Sequence, residues 1–525
     1  MNKTVKVILG LISAFSLAAT VQPSWAVDGY QINQANIPNT MYLDMVDTFS
    51  DTGEGASFLV ANTPRPGENM PDEHLCQGFG AAPCDFKSGT NMWGNLIAPA
   101  CQTETQTNCI DSLSVYKADE TPTKAKFIRQ AEGETIKADP KHNLTEGSTR
   151  SLWQASHNHT GGNGDYVAFV QLSLGYNSST EQVQITTVNT SVMPVNLVAG
   201  TYQPIKYTQG KTPDGRETVN GSAGPSNCVW LESNSCGRLQ DFAPDTRVSL
   251  SIRVQDSVGG WFKGRMKAPN IEVKPLGNNS NLITFDAEPV NVPQFYARFD
   301  VNGGDPGVNK WLQTLTYKPQ NGGGQNVRSD YPNAFDIVDN FRGITKDTAA
   351  GVSTLWSAGT LPSGSNSCLA DRSKVLGIVT TNSMAYQGGS PVFSEGALSY
   401  KVAGLHYLPD GKTEVEGSYD LVMRSETARC LYGFSKAPIS ATVSVTSSDG
   451  ASKVATTVVR ETKDGWLKLA AYGFTFSENR IKATITQAGS AKKTTITCVN
   501  IKNKKLTKKV TAVAPKCPAG YKKKA

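Results

Sequence analysis

The segment His157-Asn158-His159-Thr160-Gly161-Gly162-Asn163-Gly164-Asp165 holds the residue types that ligate transition metals. In an extended chain His157 and His159 point to one side, and Asp165 adds a carboxylate. The glycines suit a surface loop equally well and no further ligand follows, so no metal site is assigned and no cofactor is expected. Asp300-Val301-Asn302-Gly303-Gly304-Asp305 alternates oxygen-bearing side chains as a calcium turn does. It lacks the glycine position and closing glutamate of an EF-hand loop, and an ion-free turn explains it too.

Covalent catalysis needs a nucleophile beside its base. The chain offers no G-x-S-x-G, no H-E-x-x-H, no Walker-type lysine loop and no dinucleotide fingerprint. A carboxylate pair for glycoside chemistry has no linear signature, so no catalytic residue is named. Indole faces that stack on sugars remain. Among Trp93, Trp153, Trp230, Trp261, Trp311, Trp356 and Trp466, Trp230 stands out because it lies in the short loop between Cys228 and Cys236. A small cystine loop there could present it outward as a glycan contact, although most tryptophans of a multidomain β-protein belong to a core.

Charge is the strongest chemical signal. Residues 491–525 carry eleven lysines and no Asp or Glu: Lys492, Lys493, Lys502, Lys504, Lys505, Lys508, Lys509, Lys516, Lys522, Lys523 and Lys524. The opposite end starts with Lys3 and Lys6, continues through an apolar run to Val21 and reaches Ser24-Trp25-Ala26. That order of basic, apolar and small residues reads as a secretory signal peptide over 1–26. With the leader and tail lysines set aside, the net charge falls from +6 to −7, so an acidic body carries a cationic end. Such an end attracts polyanions by field focusing and counterion release. The candidate polyanions are wall phosphopolymers, anionic lipid headgroups and acidic glycans; the expected partner is an anionic cell-wall polymer or glycan, with a solubilising end that binds nothing as the alternative. Specific nucleic-acid binding is not expected, because Tyr521 is the only aromatic in the tail. No segment of the mature chain approaches the apolar length of a membrane span.

All ten cysteines follow the leader, an even number that suits an oxidising compartment. Proximity pairs Cys76 with Cys84, Cys101 with Cys109, Cys228 with Cys236, Cys368 with Cys430 and Cys498 with Cys517, although sequence alone does not settle connectivity. The last bridge would close a small knob with Lys502, Lys504, Lys505, Lys508 and Lys509 on its hairpin.

These groups must be positioned mostly by strands. Alternating or β-branched runs recur at 166–174, 182–188, 247–254, 271–273, 282–285, 294–299, 311–317 and 374–380. They continue at 398–407, 418–424, 441–446, 453–459, 465–471 and 480–486, separated by Gly, Pro, Asn and Asp turns. The predicted fold class is mainly β and multidomain, with antiparallel sandwich units, immunoglobulin-like or related, and few short helices. Phe335, Val338, Phe341 and Ile344 recur at three-residue spacing, so 331–350 is read as a helix capped by Asp330. A second short helix is expected over 121–131. The expected units are 27–199 with two small cystine loops, 200–327 ending in a linker at 319–327, 328–487, and the tail 488–525.

Gly404-Leu405-His406-Tyr407-Leu408-Pro409-Asp410-Gly411, Tyr419-Asp420-Leu421-Val422-Met423-Arg424 and Cys430-Leu431-Tyr432-Gly433-Phe434 resemble exported, uncharacterised proteins of actinobacteria. Thr494-Thr495-Ile496-Thr497-Cys498-Val499 with Pro515-Lys516-Cys517-Pro518-Ala519-Gly520-Tyr521-Lys522-Lys523-Lys524 resembles a tail carried by many otherwise different secreted proteins of that group. The resemblance implies a modular end concerned with location and brings no activity with it. The expectation is therefore a secreted, cell-surface associated structural or adhesive protein held at the envelope partly by its tail. A carbohydrate-binding protein or glycan-active enzyme is the alternative.

Overall fold

The computed structural model describes residues 40–47, 55–86, 90–222, 224–225, 228–315, 324–361, 366–434, 439–447, 452–453, 456–476, 479–487, 494–512 and 515–524. The expected leader, Lys492 and Lys493 lie outside the described residues. The fold is mainly β, with several sheets and few short helices. Among the described residues the largest sheet has 15 strands. Along the main path the order is Asp72–Cys76, Phe58–Thr63, Asn91–Ile97, Asp165–Asn177, Gln182–Ala199, Ser357–Thr360, Gly260–Arg265, Val375–Thr381, Glu416–Arg424, Trp466–Thr475 and Thr456–Glu461. This ladder crosses the unit limits expected near 199 and 327, and residues 324–327 of the expected linker belong to the strand Gly324–Arg328.

The strand Gly260–Arg265 is the seam of that path. It pairs antiparallel with Ser357–Thr360 on one side and parallel with Val375–Thr381 on the other. Its pleat alternates the faces: Phe262 enters one core, whereas Trp261 enters another, with Lys263 and Arg265 following on the Trp261 side. Gly264 is required here, because a Cβ would stand 2.3 Å from the Ser357 carbonyl oxygen.

Three larger cores gather around this ladder. In the first, the strands Asp165–Asn177 and Asn91–Ile97 face a four-stranded sheet of Lys267–Gly277, Ser280–Glu288, Thr246–Gln255 and Cys109–Lys117. Thr246–Gln255 shows why: its burial alternates strictly, with Val248, Leu250, Ile252 and Val254 turned inward. Each such side chain contributes about 1.5–3 kcal/mol on leaving water. In the second core, Leu421 and Leu469 of the largest sheet meet Leu398, Tyr400, Val443 and Ile481 of a six-stranded sheet. In the third, helices Pro306–Leu312 (α1) and Asn333–Phe341 (α2) cover a three-stranded sheet whose central strand is Thr40–Val46.

Most expected strands are present, and three local readings change. The run at 311–317 begins inside α1, because Asp305 caps that helix, Pro306 starts it, and Val308 and Trp311 recur at helical spacing toward the core. The helix expected over 121–131 is replaced by the strand Lys126–Gln130, which pairs with Ser151–Gln154; tertiary pairing overrides local preference. Helix α2 buries Phe335, Val338 and Phe341 as expected but ends at Phe341, and Asp330 does not cap it.

Asp330 is instead taken by a buried charge cluster. Arg328 donates to its carboxylate through Nε and Nη2 at 3.0 and 2.9 Å, and the Lys263 ammonium meets the same group. Beside them Arg265, 1% exposed, donates through Nε to both Asp47 oxygens at 2.9 and 3.1 Å. Its Nη1 donates to the carbonyls of Thr381 and Ser383 at 3.0 and 2.6 Å. The cluster therefore joins the seam strand to the first described strand, to the approach to α2 and to the segment after Val375–Thr381.

The five expected disulfides are all formed: 76–84, 101–109, 228–236, 368–430 and 498–517. Three close short loops. The 368–430 bridge spans 62 residues and joins the helix Ser367–Ala370 to the helix Ser425–Tyr432.

Two stability outcomes follow. Asp47→Ala leaves Arg265 charged and buried without its carboxylate, and should lower unfolding free energy by about 3–5 kcal/mol in denaturant titration. Replacing Cys368 and Cys430 together by serine should remove about 4 kcal/mol, against about 2 kcal/mol for any one short clasp.

Candidate functional site

The lysine tail forms a sheet of its own, in the order Thr507–Ala512, Thr494–Asn500, Tyr521–Lys523. Asparagines shape its hairpin: the Asn500 side chain accepts from the amides of Lys502 and Asn503 at 3.0 and 2.9 Å, and that of Asn503 accepts from Lys505 at 3.1 Å. Lys502, Lys504 and Lys505 are thereby lifted onto the turn, all exposed. Cys498, wholly buried, sits in the central strand and bonds Cys517, which returns the chain to add the third strand.

Register then sorts the remaining cations. Lys508 and Lys523 both lie opposite Cys498, on flanking strands, and so share its face. Their backbones stand two ladder spacings apart, roughly 10 Å. The Lys508 Nζ lies 5.2 Å from the centre of the Tyr521 ring, a cation–π contact on that face. Lys509 opposite Thr497 and Lys522 opposite Val499 project from the other face. Lys516 and Lys524 are exposed beside Cys517 and at the end of the third strand. The expected knob exists, and its cations cover both faces and the turn. A feature not singled out in the sequence is the apolar pair Ile501 and Leu506, 58% and 53% exposed, which brackets the lysine turn. The signal was present as two isolated aliphatics among polar residues.

Trp230 corrects an expectation. It is 1% exposed and packs with Ile97, Leu152, Phe169, Met193 and Val195. The hairpin that holds it is laid on the largest sheet by the pairing of Ser235–Leu239 with Gln182–Ala199, which turns the indole inward. Gly237 leaves room for it, since a Cβ there would stand 2.6 Å from the Trp230 Cβ. The Arg129 guanidinium lies over the ring at 5.6 Å, so cation and sheet occupy the faces a sugar would use. Trp153, Trp261, Trp311, Trp356 and Trp466 are buried as well, and Trp93 is 37% exposed.

The histidine loop is also a structural device. His159 accepts the Gly161 amide at Nδ1 (3.0 Å), and its Nε2–H is directed at the Val195 carbonyl (3.0 Å) and Asn163 Oδ1 (2.8 Å). Both ring nitrogens are thus engaged, and burial holds its pKa below the usual histidine value. His157 bonds the Thr246 hydroxyl at 3.0 Å. At 300–305, Asp300 accepts the Asn302 amide and Asp305 caps α1, so both carboxylates organise backbone. Among the described residues no group of three or more His, Cys, Asp or Glu side chains converges as a metal ligand set. No helix among them is long and apolar enough to cross a membrane.

One buried acid was not legible in advance. Asp420, on Glu416–Arg424, faces the strand Lys267–Gly277 of the four-stranded sheet and accepts the Ala268 amide at 3.2 Å and the Tyr472 hydroxyl at 2.5 Å. Burial pushes its pKa up to about 7, with those hydrogen bonds and Lys267 opposing the rise and Glu288 adding to it. Its ordinary value is 3.8. Its protonated form is therefore favoured by folding: that stability is complete below the ordinary value and is lost as pH rises through about 7. Asp420→Asn should abolish the loss. Urea titrations near pH 4 and near pH 7.5 should show wild type losing on the order of 4 kcal/mol relative to the variant.

No family model matches the chain, and neither do the curated proteins or the solved structures compared with it.

Proposed function

We propose that this is a secreted, cell-surface associated protein whose β-rich body has a structural or adhesive role and whose tail holds it at the envelope by binding an anionic polymer or glycan. The observation that carries the reading is the tail sheet: a cystine-closed unit with its own ladder, displaying Lys502, Lys504, Lys505, Lys508, Lys509, Lys516, Lys522, Lys523 and Lys524. No carboxylate side chain in 491–525 neutralises them. Holding like charges on one small frame is unfavourable alone and becomes favourable beside a polyanion, which exchanges its counterions for the lysines.

The five disulfides fit folding outside a reducing cytosol, and the tail's resemblance to those of exported actinobacterial proteins supports the same location. In the C-terminal unit two sheets share one core, which supports the finer reading of an immunoglobulin-like or related sandwich.

Deletion of residues 491–525 tests the proposal. The cell-bound fraction of the intact protein should fall steeply between low salt and about 1 M salt, where the screening length shrinks to roughly 3 Å. The truncated protein should be bound less at low salt and should lose that salt dependence. Equal retention with and without the tail contradicts the proposal.

A further inference from the structure

We propose that the turn between Thr494–Asn500 and Thr507–Ala512 docks on the surface of an anionic lipid bilayer. The inference rests on the reading of the tail as a polyanion-binding end and adds a lipid surface to the polymer or glycan proposed above. Lysines alone would suit any polyanion, soluble or not. Ile501 and Leu506 add a second requirement, because a hydrated polymer offers aliphatic side chains no place to leave water. Both are more than half exposed at the closing end of the hairpin, where the Asn500 amide donates to the Leu506 carbonyl at 2.9 Å.

Between them the turn carries Lys502, Lys504 and Lys505, all exposed, while Asn503 is drawn back to cap the turn. Three cations framed by two aliphatics match a bilayer interface, where acyl chains lie just beneath anionic headgroups. The ammonium groups reach the phosphates on flexible stems while the aliphatic tips enter below them. Cys498 and the ladder on both sides of its strand hold the hairpin so that little order is lost on docking.

Sedimentation of the full chain with vesicles separates the partners. Vesicles of phosphatidylcholine with phosphatidylglycerol should bind it, pure phosphatidylcholine should bind far less, and inorganic polyphosphate serves as the soluble polyanion. Replacing Ile501 and Leu506 together by serine should weaken binding to the anionic vesicles by about tenfold or more and leave polyphosphate binding unchanged. A second variant guards against a misfolded hairpin: the indole introduced by Leu506→Trp should shift its emission to the blue on anionic vesicles and not on polyphosphate. Vesicle binding unchanged by the serine pair, or no blue shift with the tryptophan variant, overturns lipid docking while leaving the cationic tail its role. Polyphosphate and vesicle binding that both survive deletion of 491–525 would instead overturn the tail reading itself.

Discussion

The strand Gly260–Arg265 must satisfy two neighbours running in opposite directions while burying two cations, and the architecture is arranged around that demand. Backbone pairing settles half of it: Ser357–Thr360 and Val375–Thr381 take the two edges, and Gly264 lets the first of these approach. Electrostatics settles the rest. A guanidinium and an ammonium in an interior are tolerable only with carboxylates in contact, and those come from Asp47 and Asp330, both far away in sequence. Meeting the charge requirement therefore brings the first described strand and the approach to α2 against the same side of the sheet. Packing of the third core follows, since Met41, Leu43, Phe335 and Phe341 are carried in by those segments.

Body and tail obey opposite rules. In the body, the seam cations Lys263 and Arg265 meet carboxylates, as half-buried Arg247 with Asp286 and Arg253 with Asp111 also do at the four-stranded sheet. In the tail, residues 491–525 hold no carboxylate side chain, and the described lysines stand exposed on a frame whose central strand buries Cys498. A body built this way gains its stability from within. The tail's excess charge is directed outward and is usable only with a partner. The proposed split between an anchoring end and a separate role for the remaining sheets draws on this division.

Legibility followed the range of the interaction. Period-two burial in Thr246–Gln255 and Asp-Gly or Asn-led turns are local, so most strands could be placed from sequence, and nearest-neighbour pairing of cysteines gave all five bridges. The lysine knob was readable because its strands, turn and bridge fall within one short stretch. What escaped was set by distant partners. Asp330 looks like a helix cap until Lys263 and Arg328 claim it. Trp230 looks presentable until its hairpin is paired onto Gln182–Ala199. Asp420 is an ordinary acid until Ala268 and Tyr472 enclose it. Trp311 and Leu312 suit a strand by residue type alone, and the helix start at Asp305-Pro306 that overrides this is a local signal.

Native-state hydrogen exchange, read along the chain in increasing denaturant, tests the central claim most directly. Amides of Gly260–Arg265 should exchange only through the same opening that unfolds Asp165–Asn177 and Glu416–Arg424, because all three belong to one ladder whose seam strand is pinned by the buried charge cluster. Amides of Thr494–Asn500 should exchange through a separate, lower-energy opening. If the Gly260–Arg265 amides were released early while the strands on either side stayed protected, the seam would be a dispensable contact between independent domains, and the account would be wrong.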